Sequence, residues 1–390
     1  MLPAIIVAIV VVCLLAALVF DRLWLDAARI QLRTAAEAAA LAAAGRIASD
    51  DRLRDDANPE TVLDAARQAA VNLAAENRVA GSPVRLDATP GSDIRFGTVI
   101  DDPETGRPVF LETDEQPSTV FVTAQADRRR SNAIALFFRS LTGVASADVM
   151  AQAGATIDNA VIGVRPLPGS FVPALPLGIL ASDATGNRGD TWQRQITQGE
   201  GEDRYGFDQT ANRVTEGPDR IREIVLRWVA TGASSEVNES TPTSQSANFQ
   251  ILDLGNGLAE HHVRRQIADG WSHEDLASFG GQFILDGVPR SIDGSLALIP
   301  DVLSALEAVI GQQRICLLYV EDGPTSFDGV NRLNATQLIA GRILAFDGED
   351  AGDVRIVLQP TVLTTRTALL ENSADRHIKN SYICKIHLTH

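Results

Sequence analysis

Residues Leu2 to Phe20 read LPAIIVAIVVVCLLAALVF and contain no charged side chain. Few structures can hold such a run. As a helix these nineteen residues rise about 28 Å, close to the hydrocarbon thickness of a bilayer. Val and Ile are abundant, but in lipid only a helix satisfies its own backbone groups within a single segment. The run therefore reads as a transmembrane anchor, with Leu2, Ile5, Ile6, Ile9, Val12, Leu15, Leu18 and Phe20 supplying its apolar surface. A cleaved signal peptide is the rival reading. Against it, no basic residue follows Met1 and no small-x-small site leads into Asp21. Arg22, Arg29 and Arg33 follow the run, so charge alone weakly favours a cytoplasmic body.

The helix does not end at Phe20. Asp21 to Ala44 has neither Gly nor Pro and is rich in Ala, Leu, Arg, Gln and Glu, all good helix formers. Leu25, Ala28, Leu32, Ala35, Ala39 and Ala42 recur at three- and four-residue steps and form a stripe of small residues that permits close helix packing. The result is a rod of about 65–70 Å. Its stripe meets either the protein's own body or neighbouring rods. Four segments are expected: an anchor 1–20, a rod 21–48, a first α/β lobe 49–165 and a second, mainly β lobe 166–390. The expected class is α+β: a transmembrane helix continuing into an Ala-rich helix, then mixed or antiparallel sheet lobes with packed helices.

In the first lobe Pro59 opens a helix running to Val79, with Gly81 as its cap. Strands follow at Val84–Ala88, Ile94–Ile100, Val109–Glu112 and Val120–Ala126, with hairpin chemistry at Asp101–Gly106. Ser131 can cap a short helix Asn132–Leu141 closed by Gly143, before a β-prone run Val144–Val164. Pro166, Pro168, Pro173 and Pro176 then read as a stiff connector. Ser182–Gly217 reads as a polar insertion or long loop, and Gly232–Asn248 as a mobile segment. Beyond it come a strand at Phe249–Leu254 and helices at Leu258–Ile267 and Ser304–Ile310. Strands at Arg314–Val320, Gln337–Ala345, Asp353–Leu363 and Tyr382–Leu388 complete a mainly antiparallel sheet.

Apolar residues make up 45% of the chain, enough for a real core. The 34 Lys and Arg against 50 Asp and Glu give a net charge of −16, which argues against a nucleic-acid partner. Cys316 and Cys384 are read as buried thiols, with a disulfide as the alternative outside the cytoplasm.

Catalytic chemistry finds little footing. There is no G-x-S-x-G elbow and no G-x-x-x-x-G-K-[ST] loop. His261, His262, His273, Glu274 and Asp275 fit no standard zinc spacing and read as a solvated polar helix whose adjacent histidines face different ways. Asp347–Asp353 gathers carboxylates but departs from the calcium-loop pattern, and reads as a turn. No cofactor or metal is expected, and the chain is not expected to be an enzyme. Arg128-Arg129-Arg130 precedes the apolar Ala133–Phe138. That pairing either touches lipid headgroups or is a solvated triplet beside a buried helix face.

The stretch Leu32-Arg33-Thr34-Ala35-Ala36-Glu37-Ala38-Ala39-Ala40-Leu41-Ala42-Ala43-Ala44, directly after an apolar anchor, resembles the signature of TadE/TadG-like proteins of Flp (tight-adherence) pilus assembly. Ala65–Gly81, Val120–Asp158, Val164–Leu180 and Asn248–Gly255 are similar to further parts of that family. The resemblance is specific over residues 2–44. It implies a bacterial inner-membrane anchor, a periplasmic body, and a pseudopilin-like structural role in a pilus or secretion assembly, with protein partners, self-association included. Its implied orientation is preferred to the one from charge. The chain departs from processed pilins in having no basic leader with a Gly cleavage site and no Glu near the start of the apolar run, which puts peptidase cleavage in doubt. A metal-binding D-x-S-x-S motif of adhesion domains is also missing. The alternative function is a membrane-tethered extracytoplasmic binding protein for a small ligand or cell-wall material.

Overall fold

A computed structural model describes residues 2–102, 105–229, 247–295, 300–321, 330–347, 353–371 and 378–389. The architecture is α+β, and it begins with one continuous helix, α1 (Leu2–Ile47). With Gly absent before Gly45, nothing in the sequence interrupts it after Pro3. The chain divides into two compact units. One comprises Met1–Ala48, Asn58–Ile157 and Ile386–His390, the other Ser49–Ala57 and Asp158–Lys385. The chain leaves the first unit at Ser49, returns to it at Asn58 and leaves it again at Asp158, so the expected rod 21–48 shares a unit with residues 58–157, and the reasons are side-chain specific. Asp50 accepts hydrogen bonds from the Thr361 hydroxyl (2.6 Å) and the Val362 amide (2.7 Å) and pairs with Arg342 at 3.2 Å. Asp55 and Asp56 pair with Arg222 and Arg220. These bonds tie the charged break after α1 to the second unit.

In the first unit, α2 (Pro59–Glu76) starts with Asn58, whose side chain accepts the Glu60 amide, and has Pro59 in its first turn. It ends at Glu76 with Asn77 as its cap, earlier than the expected stop at Gly81. α1 and α2 pack together through small residues. Ala35, Ala36, Ala39, Ala40, Ala43 and Ala44 are buried on one helix, and Ala66, Ala70 and Ala74 on the other. Four strands follow: β1 (Ile94–Asp101), β2 (Pro108–Glu112), β3 (Thr119–Ala126) and β4 (Val149–Asp158). They run antiparallel in the order β2-β1-β3-β4. In β3, Val120, Val122, Ala124 and Ala126 are buried, the alternation of a strand with one covered face, and α1 lies against this strand. The C-terminal residues join beside β4, where the hydroxyls of Thr156 and Thr389 hydrogen-bond.

Two expectations in this unit fail for local reasons. Val84–Ala88 is not a strand; only Ser82–Pro83 pairs, with Arg78–Val79. The Asp87 amide donates instead to the carboxylate of Asp93. Asn132–Leu141 is not a helix either. Its helical part shrinks to one turn, Arg139–Thr142, ended by Gly143 in the left-handed conformation (φ 72°). Ile134–Ala135 pairs instead with Ser146–Ala147. The Asn132 side chain accepts the Asp127 amide, and the Phe137 amide donates to Asp21 of α1, so these groups do not enter a helical ladder.

The second unit is built on a seven-stranded sheet. Its strands are β5 (Ala174–Leu180), β6 (Ile224–Val229), β7 (Phe249–Asp253), β8 (Arg290–Ser295), β9 (Gln313–Glu321), β10 (Val330–Asp347) and β11 (Asp353–Pro360). The order is β6-β11-β10-β8-β7-β5-β9, and β9 also pairs with β10. The eighteen-residue β10 thus closes a ring through β8, β7, β5 and β9, while its far end carries β11 and β6. All pairings in this sheet are antiparallel except β5 with β9. β5 takes in Pro176, the last of the four prolines expected to form a connector. All seven of its residues are buried. Pro176 has no amide to donate, and the register with β9 shifts between Ala174 and Gly178.

Alternate residues of the strands feed two hydrophobic cores. Ile315, Leu317 and Tyr319 belong to one, with Trp271 and Phe283. Cys316 and Leu318 belong to the other, with Val263 and Ile267 of α3 (Glu260–Asp269) and Val302 and Leu306 of α4 (Pro300–Glu307). The stretch 182–217, expected as an insertion or long loop, carries a hairpin, Tyr205–Asp208 with Arg213–Glu216. The expected mobile segment falls mostly outside the described residues, as does most of the Asp347–Asp353 carboxylate loop. The final strand, β12 (Ile383–Thr389), lies close to where it was expected.

Candidate membrane-anchoring site

Among the described residues one helix is long and apolar enough to cross a membrane, and α1 provides its span. The two halves of α1 face different surroundings. Ile5, Ile6, Ile9, Val12, Leu15, Leu18 and Phe20 are each more than half exposed, from 52% to 64%. Among residues 3–20 with described side chains, Ala17 is the one that is buried. From Ala28 on, the pattern reverses. Ala28, Leu32, Ala35 and Ala39 are at most 1% exposed, while Leu25 and Ala42 are half-buried. Four of the six stripe residues are thus core residues of the first unit, and Ala36, Ala40, Ala43 and Ala44 widen the buried face beyond the stripe. A single line of three- and four-residue steps could not reveal the second line, because it meets a second partner, β3 as well as α2.

Where the halves meet, the loop 134–147 lies along α1. The Phe137 amide donates to Asp21 Oδ1 at 3.0 Å, and Trp24 Nε1 donates to the Ala135 carbonyl at 3.2 Å. Phe137 packs edge-on against Phe20 (5.4 Å between centroids) and Trp24 (5.1 Å), and Phe138 against Phe20 (5.8 Å). Asp21 is buried by this contact. Of the arginine triplet, Arg130 is fixed by Asp93 and Arg128 donates to the Ser146 carbonyl, while Arg129 is exposed. Neither sequence reading of the triplet, lipid contact or simple solvation, describes Arg130.

Elsewhere the chemistry-bearing residues are engaged structurally. Asp275, expected on a solvated helix, is buried. Burial pushes its carboxyl up, but hydrogen bonds from Arg265, Gln266 and Ser272 outweigh this and hold it below the usual carboxylate value. His261 and His262, expected to point apart, have ring centroids 4.1 Å apart. Among the described residues no group of three or more His, Cys, Asp and Glu side chains could hold a metal ion. Cys316 and Cys384 are free and buried, and burial pushes the Cys316 thiol up to about 12.

Sequence reasoning missed two acidic residues of the second unit, the buried Glu223 and the half-buried Asp219. Glu223 accepts the amides of Tyr205 (2.6 Å) and Arg204 (3.2 Å), and Asp219 accepts the Ile221 amide and the Gln359 side chain. Burial, with the neighbouring carboxylates, holds both above the ordinary range. No motif spacing marks them. Among the clefts, one of 290 Å³ lies beside Asp127 and Asp148, and two of 320 Å³ lie beside Arg33 and Glu37 and beside Lys379.

Comparison with protein-family models, with curated proteins and with solved structures finds no match for this chain.

Proposed function

We propose that this chain is a single-pass protein of a bacterial inner membrane whose α+β body lies on the periplasmic side and serves as a pseudopilin-like structural component of a Tad/Flp-type pilus or secretion assembly. The observation that carries the anchoring part is the change of exposure along α1. A nineteen-residue uncharged run, with apolar side chains more than half exposed, continues without a break into a half whose alanines are buried. In water such a surface is costly, since each Å² of apolar area carries about 25 cal/mol; in lipid it is not. The assembly part rests on the resemblance at Leu32–Ala44.

Crosslinking in native membranes followed by purification tests the assembly reading. Recovery of pilus or secretion-platform proteins is the expected result. Recovery of glycan or a small ligand in their place would favour the tethered binding protein.

A further inference from the structure

The loop 134–147 does more than pack against α1. We propose that its tip, Phe137 to Val144, is a second membrane-contacting element, seated in the headgroup and upper acyl region of the same bilayer that α1 crosses. This rests on the anchor reading and adds to it a fixed depth.

Axial position decides the matter. The loop is bound to α1 at Asp21 and Trp24 and its phenylalanines meet Phe20. The one-turn helix Arg139–Thr142 also contacts α1, and Ala17, one turn below Asp21, is buried although the run around it is exposed. From Ala17 to Trp24 is about 10 Å along the helix. The loop therefore covers the last turn of the apolar run. Any placement that puts Leu2–Phe20 in hydrocarbon also puts the loop at the boundary of that layer, where aromatic rings are favoured.

The exposed surface of the loop fits this place. Phe137 is 59% exposed and Val144 44%, and on α1 the neighbouring Phe20 and Leu23 are 52% and 63% exposed. Arg139 sits at the tip, and Arg128 and Arg129 are exposed at the base of the loop. Their guanidinium groups can reach phosphates while their stems lie on apolar surface. Of the nearby carboxylates, Asp148 pairs with Arg128 and Asp26 with Arg22 and Arg29, while Asp21 and Asp127 accept the backbone amides of Phe137 and Arg130. The exposed Arg129 and Arg139 thus give this part of the surface cationic groups that can meet phosphates, in a chain whose overall charge is −16.

Single cysteines carrying an environment-sensitive fluorophore can read the depth. In the full chain with Cys13, Cys316 and Cys384 replaced by Ala, Ile9→Cys marks the anchor and Phe137→Cys the loop tip. Val144→Cys is a second reporter that leaves the aromatic cluster intact. Gly45→Cys, where a side chain meets nothing within 4 Å, lies about 38 Å beyond Phe20 on the same helix. The proteins are reconstituted in phosphatidylcholine vesicles containing lipids with a quencher at a shallow or a deep acyl position. Expected is quenching of position 9 by the deep label, of 137 and 144 by the shallow label, and of 45 by neither. If 9 responds to the deep label while 137 and 144 are quenched only by aqueous iodide, the loop is solvated and the proposal fails alone. If 137 and 144 are shielded from both iodide and lipid labels while 9 still responds, protein covers the loop and the proposal also fails. If 9 does not respond either, the anchor reading fails and takes the loop with it.

Discussion

Asp50 and Arg342 form an ion pair where water barely reaches. The Arg342 side chain is 3% exposed, stacks over Phe207 at 3.7 Å, and leaves its Nε without a partner. Breaking such a pair on one side leaves the other charge uncompensated, typically at about 3–5 kcal/mol. Asp50→Ala also removes the acceptor of the Thr361 hydroxyl and the Val362 amide. The expected outcome is a loss of that order in denaturant unfolding, partly recovered by adding Arg342→Met. Glu223 presents the opposite case. Its folded-state carboxyl is held above the usual value, so the folded state binds its proton more tightly. The stabilisation is full at low pH and is lost as pH rises from about 4.3, the ordinary Glu value, through the raised one. Glu223→Gln retains an acceptor for the Tyr205 and Arg204 amides. Unfolding measured across pH should show a flatter decline through that range than in the unsubstituted chain.

At the scale of elements, α1 is two helices in one. In the lower half a charge is expensive. Val11→Arg, near the bilayer centre, costs about 2.5–3.5 kcal/mol on insertion scales, and carbonate extraction of membranes should release more of that variant. In the upper half volume is the constraint. Ala39 is fully buried between elements that approach closely because their side chains are single methyls. Ala39→Leu should overpack by about 1–3 kcal/mol and lower the melting temperature of the purified protein. On a solvated helix face the same change is nearly neutral, since Leu and Ala differ little in helix propensity. An unchanged melting temperature would contradict the packing of α1 in its own unit.

For the molecule as a whole, the rod cannot be detached as a separate segment. A chain beginning at Ser49 lacks the surface that covers the alanines of α2 and the inner face of β3, and is expected to aggregate. A chain beginning at Asp21 keeps those contacts and loses the lipid-facing run; it should be soluble and give a cooperative melt. Size-exclusion chromatography distinguishes the two. Orientation is a separate matter. A reporter active only in the periplasm, fused after His390, should be active; activity of a cytoplasm-only reporter there would reverse the proposed topology.

The sequence alone determined what depends on neighbours along the chain. The uncharged run, the unbroken α1, the Asn58-Pro59 start of α2, the hairpin β1–β2, and the strands β3, β9 and β11 all follow from local propensity and period, which act over a few residues. A helix long and apolar enough to cross a membrane was legible for the same reason. What the tertiary structure decided involves partners distant in sequence. Pro176 marks a connector by every local rule, yet it lies in a fully buried strand because β7 and β9, at Phe249–Asp253 and Gln313–Glu321, enclose it. Asn132–Leu141 has helical composition, but its amides are claimed by other groups, Asp21 among them, 116 residues from Phe137. The charged break after α1 belongs to the second unit because Asp50 meets Arg342, Thr361 and Val362. Buried hydrogen bonds and charge pairs of this kind have no spacing in the sequence. They are fixed only when desolvation makes an unpaired group too costly to leave alone.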